Sequence, residues 1–484
     1  MVGAGNAGLC AALAARETGA SVLLLEKATV PERGGNSAFT GGLFRFAFDR
    51  FEDMKALLPN YSPEELDAVE VPSYPASAYA EDCDRMTEGL ADPTLVKILT
   101  EHSFATMEWL REHGVQWMLA TGRQAHRVGT KFRFFGNLIL EANGGGPGLI
   151  DALFRSAERE GIDILYETKA TGLKMDDRGR VVGLQVQNPE GLRVIQCKSV
   201  ILAAGGFQAN IEMRSRYLGR DWELAKVRGT RFNTGDGILM ALQVGAQPYG
   251  HYSSCHAVAW DMQAPPVGDL VVGDGYQKHS YPLGLIVNRE GKRFVDEGAD
   301  YRNYTYAKYG REILGQPGRV AFQIFDSKVL HMLRDEYRIR QITKARTNTI
   351  EQLADELLID PIGLRQTIDE YNAAVQEGNF NPAILDGKTT RGITPPKSNW
   401  ALRIDLPPYE GYAVTCGLTF TFGGIRINKH AQVLDTEDHP IPGLYAAGEL
   451  VGGLFYYNYA GGSGLMAGSV FGRLAGTSAA LQET

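Results

Sequence analysis

The feature that most constrains the fold is a glycine fingerprint at the start of the chain, Gly3-x-Gly5-x-x-Gly8. Glycines at this spacing permit a tight turn, a close approach to a pyrophosphate, and close packing of a helix on a strand. An amphipathic helical segment follows, and then a short apolar run, 21–27, with strand character. Glu26 lies at the end of that run, where an acidic side chain accepts hydrogen bonds from ribose hydroxyls. The pattern predicts a βαβ unit that binds a dinucleotide.

The strand that should precede the fingerprint is almost absent, because only Met1 and Val2 come before Gly3. Strands usually have about five residues. A parallel sheet that lacks its central strand is expected to be unstable. We therefore expect the numbered chain to be trimmed, or its first residue to be misassigned.

Length and charge narrow the class of protein. A chain of 484 residues is too long for one ordinary hydrophobic core, so two domains are expected. The net charge of −8, with no basic stripe to offset it, predicts that the protein does not bind nucleic acid. No run of about 18 apolar residues occurs, so we predict no membrane span.

The five cysteines are scattered and show no CxxC, CxxCH or Cys/His spacing, which disfavours iron–sulfur, c-type haem and zinc sites. We therefore predict no metal and, from reduced thiols, a cytoplasmic location. Electrons from any redox reaction must then leave through another molecule, which is an unidentified redox partner, a quinone or oxygen.

Two later glycine-rich elements favour FAD over a nicotinamide cofactor. Residues 34–37, Gly-Gly-Asn-Ser, and the pair Gly41-Gly42 form a polar loop suited to the flavin diphosphate and ring. Residues 443–449 end a strand on a glycine and the acid Glu449, which suits the ribityl chain. A nicotinamide enzyme has no need of these distant elements, so FAD is the predicted cofactor.

The character of the sequence changes near His251, where aromatic residues and loops become frequent, and returns to alternating strands near Tyr412. We predict an α/β fold in which a Rossmann-like FAD-binding domain contains an inserted α+β capping domain. The predicted boundaries are 1–250 and 405–484 for the two parts of the FAD-binding domain and 251–404 for the capping domain.

Motifs along the whole chain resemble the succinate dehydrogenase/fumarate reductase flavoprotein superfamily. They are Gly34-Gly-Asn-Ser37, Ala203-Ala-Gly-Gly-Phe207, Thr234-Gly-Asp-Gly237, Arg293-Phe-Val-Asp-Glu297 and residues 443–449, in that order. Three further stretches, 255–261, 296–309 and 458–465, resemble the tricarballylate dehydrogenase branch. The resemblance implies a mobile cap over FAD. It also implies hydride exchange between the flavin and a C–C bond of a small-molecule substrate, next to a carboxylate or carbonyl.

The resemblance also implies which residues surround FAD. They are Gly3, Gly5, Ala7, Gly8, Glu26, Lys27, Asn36, Ser37, Thr40, Gly41, Gly42, Ala170, Ala204, Gly205, Asp236, Gly448, Glu449, Ser463 and Leu465. Members with covalent flavin use a histidine in the loop after the first βαβ unit. No histidine lies between residues 1 and 101, so we expect non-covalent FAD.

The substrate side departs from the carboxylate-binding pattern of the superfamily. Fumarate reductases clamp one carboxylate with a histidine and an arginine, and these positions correspond here to Phe420 and Tyr459. This change disfavours a small C4 dicarboxylate. Two catalytic candidates remain: His256, at the histidine position where the family's cap begins, and Arg302, one place from the family's catalytic arginine. The alternatives are a structural histidine and a salt-bridged cap residue.

Tyr301 and Tyr459 suggest a second mechanism, because their contexts resemble those of 3-ketosteroid dehydrogenases. There, one tyrosine helps to abstract a proton and another hydrogen-bonds the ketone. A tyrosine base requires that its pKa of about 10 be lowered, or that proton transfer be concerted with hydride loss. The alternative for both residues is aromatic packing.

Two other classes of protein share parts of this pattern. A non-catalytic, flavoprotein-like scaffold would lack flavin chemistry, and the full set of ring-side motifs argues against it. A flavin subunit of an electron-transfer complex is compatible with the absence of cluster-ligand motifs.

Overall fold

The computed structural model describes residues 1–481. The helices are α1 (Asn6–Glu17), α2 (Phe51–Met54), α3 (Pro63–Asp67), α4 (Ala76–Met86), α5 (Pro93–Glu112), α6 (Thr121–Gln124), α7 (Gly145–Arg159), α8 (Ile211–Met213), α9 (Asp236–Gln243), α10 (Tyr306–Leu314), α11 (Ile350–Leu357), α12 (Pro361–Ala374) and α13 (Ser463–Leu481).

The strands in the first half of the chain are β1 (Leu23–Leu25), β2 (Leu43–Phe44), β3 (Val69–Glu70), β4 (Trp117–Leu119), β5 (Ala125–Val128), β6 (Lys131–Phe134), β7 (Leu140–Ala142), β8 (Asp163–Leu165), β9 (Lys169–Met175), β10 (Val181–Asn188), β11 (Gly191–Gln196), β12 (Val200–Leu202) and β13 (Lys226–Val227). The later strands are β14 (Pro248–Asp261), β15 (Leu285–Val287), β16 (Ala321–Phe325), β17 (Ala345–Thr347), β18 (Tyr409–Ile425), β19 (Gln432–Leu434) and β20 (Pro440–Ala446).

The first three residues lie in the middle of the nucleotide-binding sheet, whose order is β8, β1, residues 1–3, β12, β20 and β19. Val2 forms parallel bridges to Leu25 on one side and Leu202 on the other. Its N–H donates to Ile201 O at 2.9 Å, and Leu25 N–H donates to Met1 O at 2.9 Å. The expectation that the sheet lacks its central strand is therefore wrong, because residues 1–3 fill that place.

The glycine fingerprint turns the chain from this sheet into α1. Gly3 has φ +98°, and a side chain there would bring Cβ to 2.4 Å from Ala203 O. At Gly8 a Cβ would stand 1.9 Å from Gly3 O, so only glycine lets the helix lie this close to the turn. α1 is alanine-rich and buried along almost its whole length, and it packs tightly on α13. The predicted βαβ unit is confirmed.

A second sheet stands beside the first and is built around two long strands. β14 and β18 pair antiparallel from Pro248↔Ile425 to Asp261↔Val414. β18 also pairs with β13, β16 and β17, and β16 pairs with β15. Helices α11 and α12 cover a separate hydrophobic cluster on this sheet. The fold is the predicted Rossmann-like FAD domain with a capping domain.

One of the two predicted domain boundaries falls inside a strand, and the other falls in a loop. The boundary at 250/251 falls inside β14, which continues without a break through this position. The boundary at 404/405 falls in a loop before β18. The division of the chain into 1–250, 251–404 and 405–484 stays a prediction.

The described part of the chain carries neither a membrane-spanning helix nor a cluster of metal-ligating side chains. Within residues 1–481, no helix combines the length and apolar character needed to cross a membrane. Over the same residues, no group of three His, Cys, Asp or Glu side chains is arranged to hold a metal ion.

Candidate active site

A large cavity lies between the nucleotide-binding sheet and the β14–β18 sheet, with a volume of about 1950 Å³ including its open mouth. We call its first side the nucleotide wall, formed by residues 2–7, 25–28, 35–41, 168–170, 203–205 and 448–449. We call its second side the substrate wall, formed by Arg123, Arg228, His256, Asp274, His279, Arg302, Tyr306, Arg334, Phe420, Phe455 and Tyr459.

Glu26 is held in place by the backbone at the end of β1. One carboxylate oxygen accepts a hydrogen bond from Ala4 N–H at 3.0 Å and the other accepts from Ala28 N–H at 2.8 Å. Burial raises the pKa of this carboxyl, although these N–H groups oppose the shift. The fixed carboxylate lines the cavity and is suited to accept hydrogen bonds from ribose hydroxyls.

The loop at 34–37 joins the fingerprint to β18. Asn6 N–H donates to Ser37 Oγ at 3.2 Å, next to the start of α1. The Asn36 amide donates to Thr419 O at 2.5 Å and accepts from Thr230 N–H at 2.9 Å. The loop held in this way lines the cavity beside the N-terminus of α1, an arrangement that favours phosphate groups.

Glu449 is a buried acid at the other end of the nucleotide wall. Its carboxylate accepts hydrogen bonds from Thr421 N–H at 2.9 Å, Gln208 Nε2 at 3.2 Å and Asn233 Nδ2 at 3.2 Å. Burial raises its pKa to about 7. Glu449 and Gly448 both line the cavity.

Sixteen of the nineteen predicted FAD residues line the cavity. They are Gly3, Gly5, Ala7, Glu26, Lys27, Asn36, Ser37, Thr40, Gly41, Ala170, Ala204, Gly205, Asp236, Gly448, Glu449 and Leu465. Lys27 and Asp236 form an ion pair of 2.8 Å.

The other three lie behind the lining. Gly8 packs on the turn at Gly3, and Gly42 packs on Gly145 at the start of α7. The Ser463 hydroxyl accepts a hydrogen bond from Tyr79 at 3.0 Å. Each of the three shapes the site through packing.

Arg302 is buried in the substrate wall, on the short turn 302–304. Its guanidinium donates to Arg123 O at 2.7 Å, and no carboxylate among residues 1–481 lies within 4 Å of it. Burial and the neighbouring Arg334 lower its pKa to about 9. The alternative of a salt-bridged cap residue is therefore wrong for Arg302.

The other three arginines of the cavity have carboxylate partners. They are Arg228 with Asp274 at 2.5 Å, Arg334 with Glu336 at 2.8 Å, and Arg123 with Asp274 at 3.5 Å and Glu141 at 3.6 Å. The four guanidinium groups of the substrate wall are thus set against three carboxylates, of Asp274 in the wall and of Glu141 and Glu336 behind it, so one positive charge is uncompensated.

His256 is buried on β14, and neither of its ring nitrogens has a hydrogen-bond partner in the described chain. Its ring stacks on Phe420 at 5.2 Å and meets the edges of Tyr306 at 5.0 Å and Tyr459 at 4.9 Å. Burial, reinforced by Arg228, lowers its pKa well below the usual value, so the imidazole is uncharged. A structural histidine would have its nitrogens satisfied, so the unpartnered nitrogens favour a ligand-facing role.

The structure corrects the tyrosine pair expected on the substrate side. Tyr459 lines the cavity, but Tyr301 lies outside the lining and packs on Phe135 at 5.9 Å and Trp400 at 6.1 Å. The turn that follows Tyr301 directs Arg302 inward and leaves Tyr301 in aromatic packing. The hydroxyl of Tyr459 is hydrogen-bonded instead to that of Tyr306. Burial raises the pKa of both, so neither is ionised at neutral pH.

Several functional candidates belong to no recognisable motif, so the sequence did not predict them. Tyr306, Arg228, His279 and Arg334 come from separate segments that meet only in the folded chain. One signal was available, because the polar run 277–280 interrupts an otherwise apolar region and is buried.

Comparisons with known proteins give the class and the family. A model of the FAD binding domain family matches residues 1–465, so the chain belongs to that family. A probable fumarate reductase, Ifc3, of Shewanella frigidimarina is 32% identical over 99% of this chain and 74% of its own length. The urocanate reductase of Eggerthella lenta is 31% identical, also over 99% of this chain and 74% of its length.

A solved structure agrees with these relatives. The open conformation of a flavocytochrome c3 fumarate reductase matches with a TM-score of 0.73 and 30% identity, over 99% of this chain and 77% of the other. The chain is a member of the fumarate reductase/succinate dehydrogenase flavoprotein superfamily. It is an FAD-dependent oxidoreductase that acts on carbon–carbon bonds, and the non-catalytic scaffold is not supported.

Proposed function

We propose that this enzyme exchanges a hydride at a C–C bond next to a carboxylate, and that Arg302 both binds that carboxylate and exchanges a proton with the neighbouring carbon. The observation that carries the proposal is the unpaired state of Arg302. It is the one cavity arginine, within residues 1–481, that has no carboxylate partner. A buried positive charge without a carboxylate partner calls for an anionic ligand.

The chemistry is divided between the cofactor and the chain. When bound to the nucleotide wall, FAD supplies the two-electron hydride acceptor or, in its reduced form, the hydride donor. Arg302 holds the carboxylate and stabilises the enolate-like charge that develops on it. Its lowered pKa of about 9 makes proton release easier than from an ordinary guanidinium. Closing of the cap over the cavity would exclude water from the reacting carbon.

Mixing of the oxidised, FAD-loaded protein with candidate substrates in the absence of oxygen tests the proposal. Tricarballylate, the substrate that the sequence resemblance suggests, is compared with succinate, with the monocarboxylate 3-phenylpropanoate and with a 3-ketosteroid. Bleaching of the flavin absorbance by a carboxylic acid is expected. Bleaching by the steroid alone would contradict the carboxylate assignment.

A second candidate function, dehydrogenation or reduction next to a ketone, is favoured by one specific observation. Tyr306 and Tyr459 present a hydrogen-bonded pair of hydroxyls to the cavity. Such a pair can donate a hydrogen bond to a carbonyl oxygen. If the ketone is the substrate, Tyr459→Phe will abolish flavin bleaching by the steroid; a carboxylate substrate will be affected much less.

Three further properties belong to the proposal. FAD is held non-covalently, so acid precipitation of the protein should release all of the flavin into solution. Electrons pass to a redox partner, a quinone or oxygen, which reoxidation of the reduced protein by each in turn will distinguish. The location is cytoplasmic, which cell fractionation tests.

A further inference from the structure

We infer that the substrate carries a single carboxylate on a flat, conjugated apolar body, the class of the aryl-substituted acrylic acids. The inference rests on the proposed function and narrows it to one substrate class. One uncompensated guanidinium, that of Arg302, lines the same cavity as a set of five aromatic rings. We call the rings of His256, Tyr306, Phe420, Phe455 and Tyr459 the aromatic box.

The charge balance of the substrate wall sets the number of carboxylates. A second carboxylate would need a second free cation, and the other cavity arginines are already paired. Arg228 is the best placed of them, but both its Nε and Nη2 donate to one oxygen of the buried Asp274. Drawing Arg228 to a substrate would leave Asp274 buried without its main partner, which is strongly unfavourable. The wall is therefore matched to one negative charge.

The histidines of the cavity do not supply that second charge. Burial lowers the pKa of both His256 and His279 well below the usual value, and nearby arginines add to the effect. Both rings are thus uncharged. His279 Nε2, like the two nitrogens of His256, has no partner in the described chain. These nitrogens can hydrogen-bond an uncharged substituent, such as a hydroxyl or a ring nitrogen of the substrate.

The geometry of the aromatic box suits a flat π system. Phe420, Phe455 and Tyr459 contact one another edge to face, with centroids 5.2–5.7 Å apart and planes at 69–88°. The ring of His256 lies nearly parallel to Phe420, with 26° between the planes. These rings pack on one another and also line the cavity, so they offer a ligand an aromatic, apolar surface that favours an aromatic or conjugated body over an aliphatic polyacid.

Such a substrate is reduced at its C=C bond. A hydride adds to the β carbon of the unsaturated acid, and a proton from Arg302 adds to the α carbon, which bears the carboxylate. The C=C bond becomes a CH–CH bond, and the two electrons come from the reduced cofactor, which is oxidised. Arg302 regains its proton from water when the cavity opens.

Reoxidation of the enzyme by unsaturated acids tests the inference. The FAD-loaded protein is reduced without oxygen and mixed with trans-cinnamate, acrylate, fumarate and, as a ketone, a conjugated steroid enone. We expect the second-order rate of flavin reoxidation to be at least tenfold higher for cinnamate than for fumarate or acrylate. Fumarate or acrylate reacting as fast as cinnamate overturns the inference and leaves the proposed function standing. Reaction with the enone alone, or with none of the compounds, overturns both.

A binding measurement and a variant pair give independent readouts. Calorimetric titration of the oxidised protein should show 3-phenylpropanoate binding at least tenfold more tightly than succinate; equal affinities would overturn the inference. Tyr459→Arg places a second cation in the box and should lower the cinnamate-to-fumarate rate ratio at least tenfold. Leu192→Arg, which adds a cation at an exposed position on β11 outside the cavity, should leave the ratio unaltered. An unchanged ratio in Tyr459→Arg would contradict the placement of the substrate body in the aromatic box.

Discussion

The two walls of the cavity are built from different parts of the chain and by different means. The nucleotide wall comes from short motifs at strand ends, where glycines and backbone N–H groups do most of the shaping. The substrate wall comes from single side chains such as Arg302, His256 and Tyr306, which reach the cavity from separate segments. A wall made of backbone is tied to one fold, whereas a wall made of side chains can change its ligand while the fold stays the same.

The largest effect is expected from removal of the charge on the substrate wall. Arg302→Ala should reduce turnover about 100- to 10,000-fold, since it removes both the anion-binding group and the proton donor. The FAD content should stay the same, because Arg302 belongs to the other wall. Arg85→Ala is the matched control, since Arg85 is a half-exposed arginine outside the cavity that pairs with Asp300. Full activity of Arg302→Ala would remove Arg302 from the mechanism.

Substitutions in the nucleotide wall should have the opposite effect, weakening FAD binding while turnover at saturating FAD changes little. Glu26→Ala removes the acceptor of two backbone N–H groups and of the ribose hydroxyls, and should weaken FAD binding about 10- to 100-fold. The affinity is measured from the fluorescence of flavin released on dilution. Turnover at saturating FAD should change little, and Glu52→Ala, on the exposed face of α2, should alter neither property. Unchanged FAD affinity would show that Glu26 does not contact the cofactor.

The packing behind the nucleotide wall can be tested separately from ligand contacts. Gly8→Ala places a Cβ against Gly3 O and should reduce the free energy of unfolding by about 1–3 kcal/mol. Gly122→Ala is the control, because a Cβ there meets nothing within 4 Å. Urea unfolding of the FAD-loaded variants measures the difference. Equal stability of the two variants would contradict the tight turn.

The smallest effect is expected from a change of pH, which should act through the substrate wall alone. The protonated form of Arg302 binds the carboxylate, and its pKa is lowered to about 9. As the pH rises through about 9 the guanidinium loses its proton, so kcat/KM should fall, whereas FAD affinity should not follow the same curve. A profile of kcat/KM that stays flat to pH 10.5 would argue against a lowered pKa.

The contrast between the walls also explains how much the sequence could predict. Glycine spacing and the acids Glu26 and Glu449 led to the nucleotide wall, because local backbone geometry dictates those residue types. The sequence predicted Arg302, His256 and Tyr459 because of their positions within motifs that resemble those of the superfamily. Tyr306 was missed and Tyr301 was wrong as a cavity residue, because the orientation of the turn 302–304 decides which tyrosine faces inward. Arg228 and His279 depend on contacts between distant segments and carry no local signal.

Binding of a substrate carboxylate by Arg302 is tested most directly by comparing an acid with its methyl ester. The ester keeps the shape and conjugation of the acid but removes its negative charge. In single-turnover mixing without oxygen, the reduced enzyme should react with the ester at least about tenfold more slowly than with the acid. In Arg302→Ala this difference should disappear. Equal rates for acid and ester in the unmodified enzyme would contradict the account.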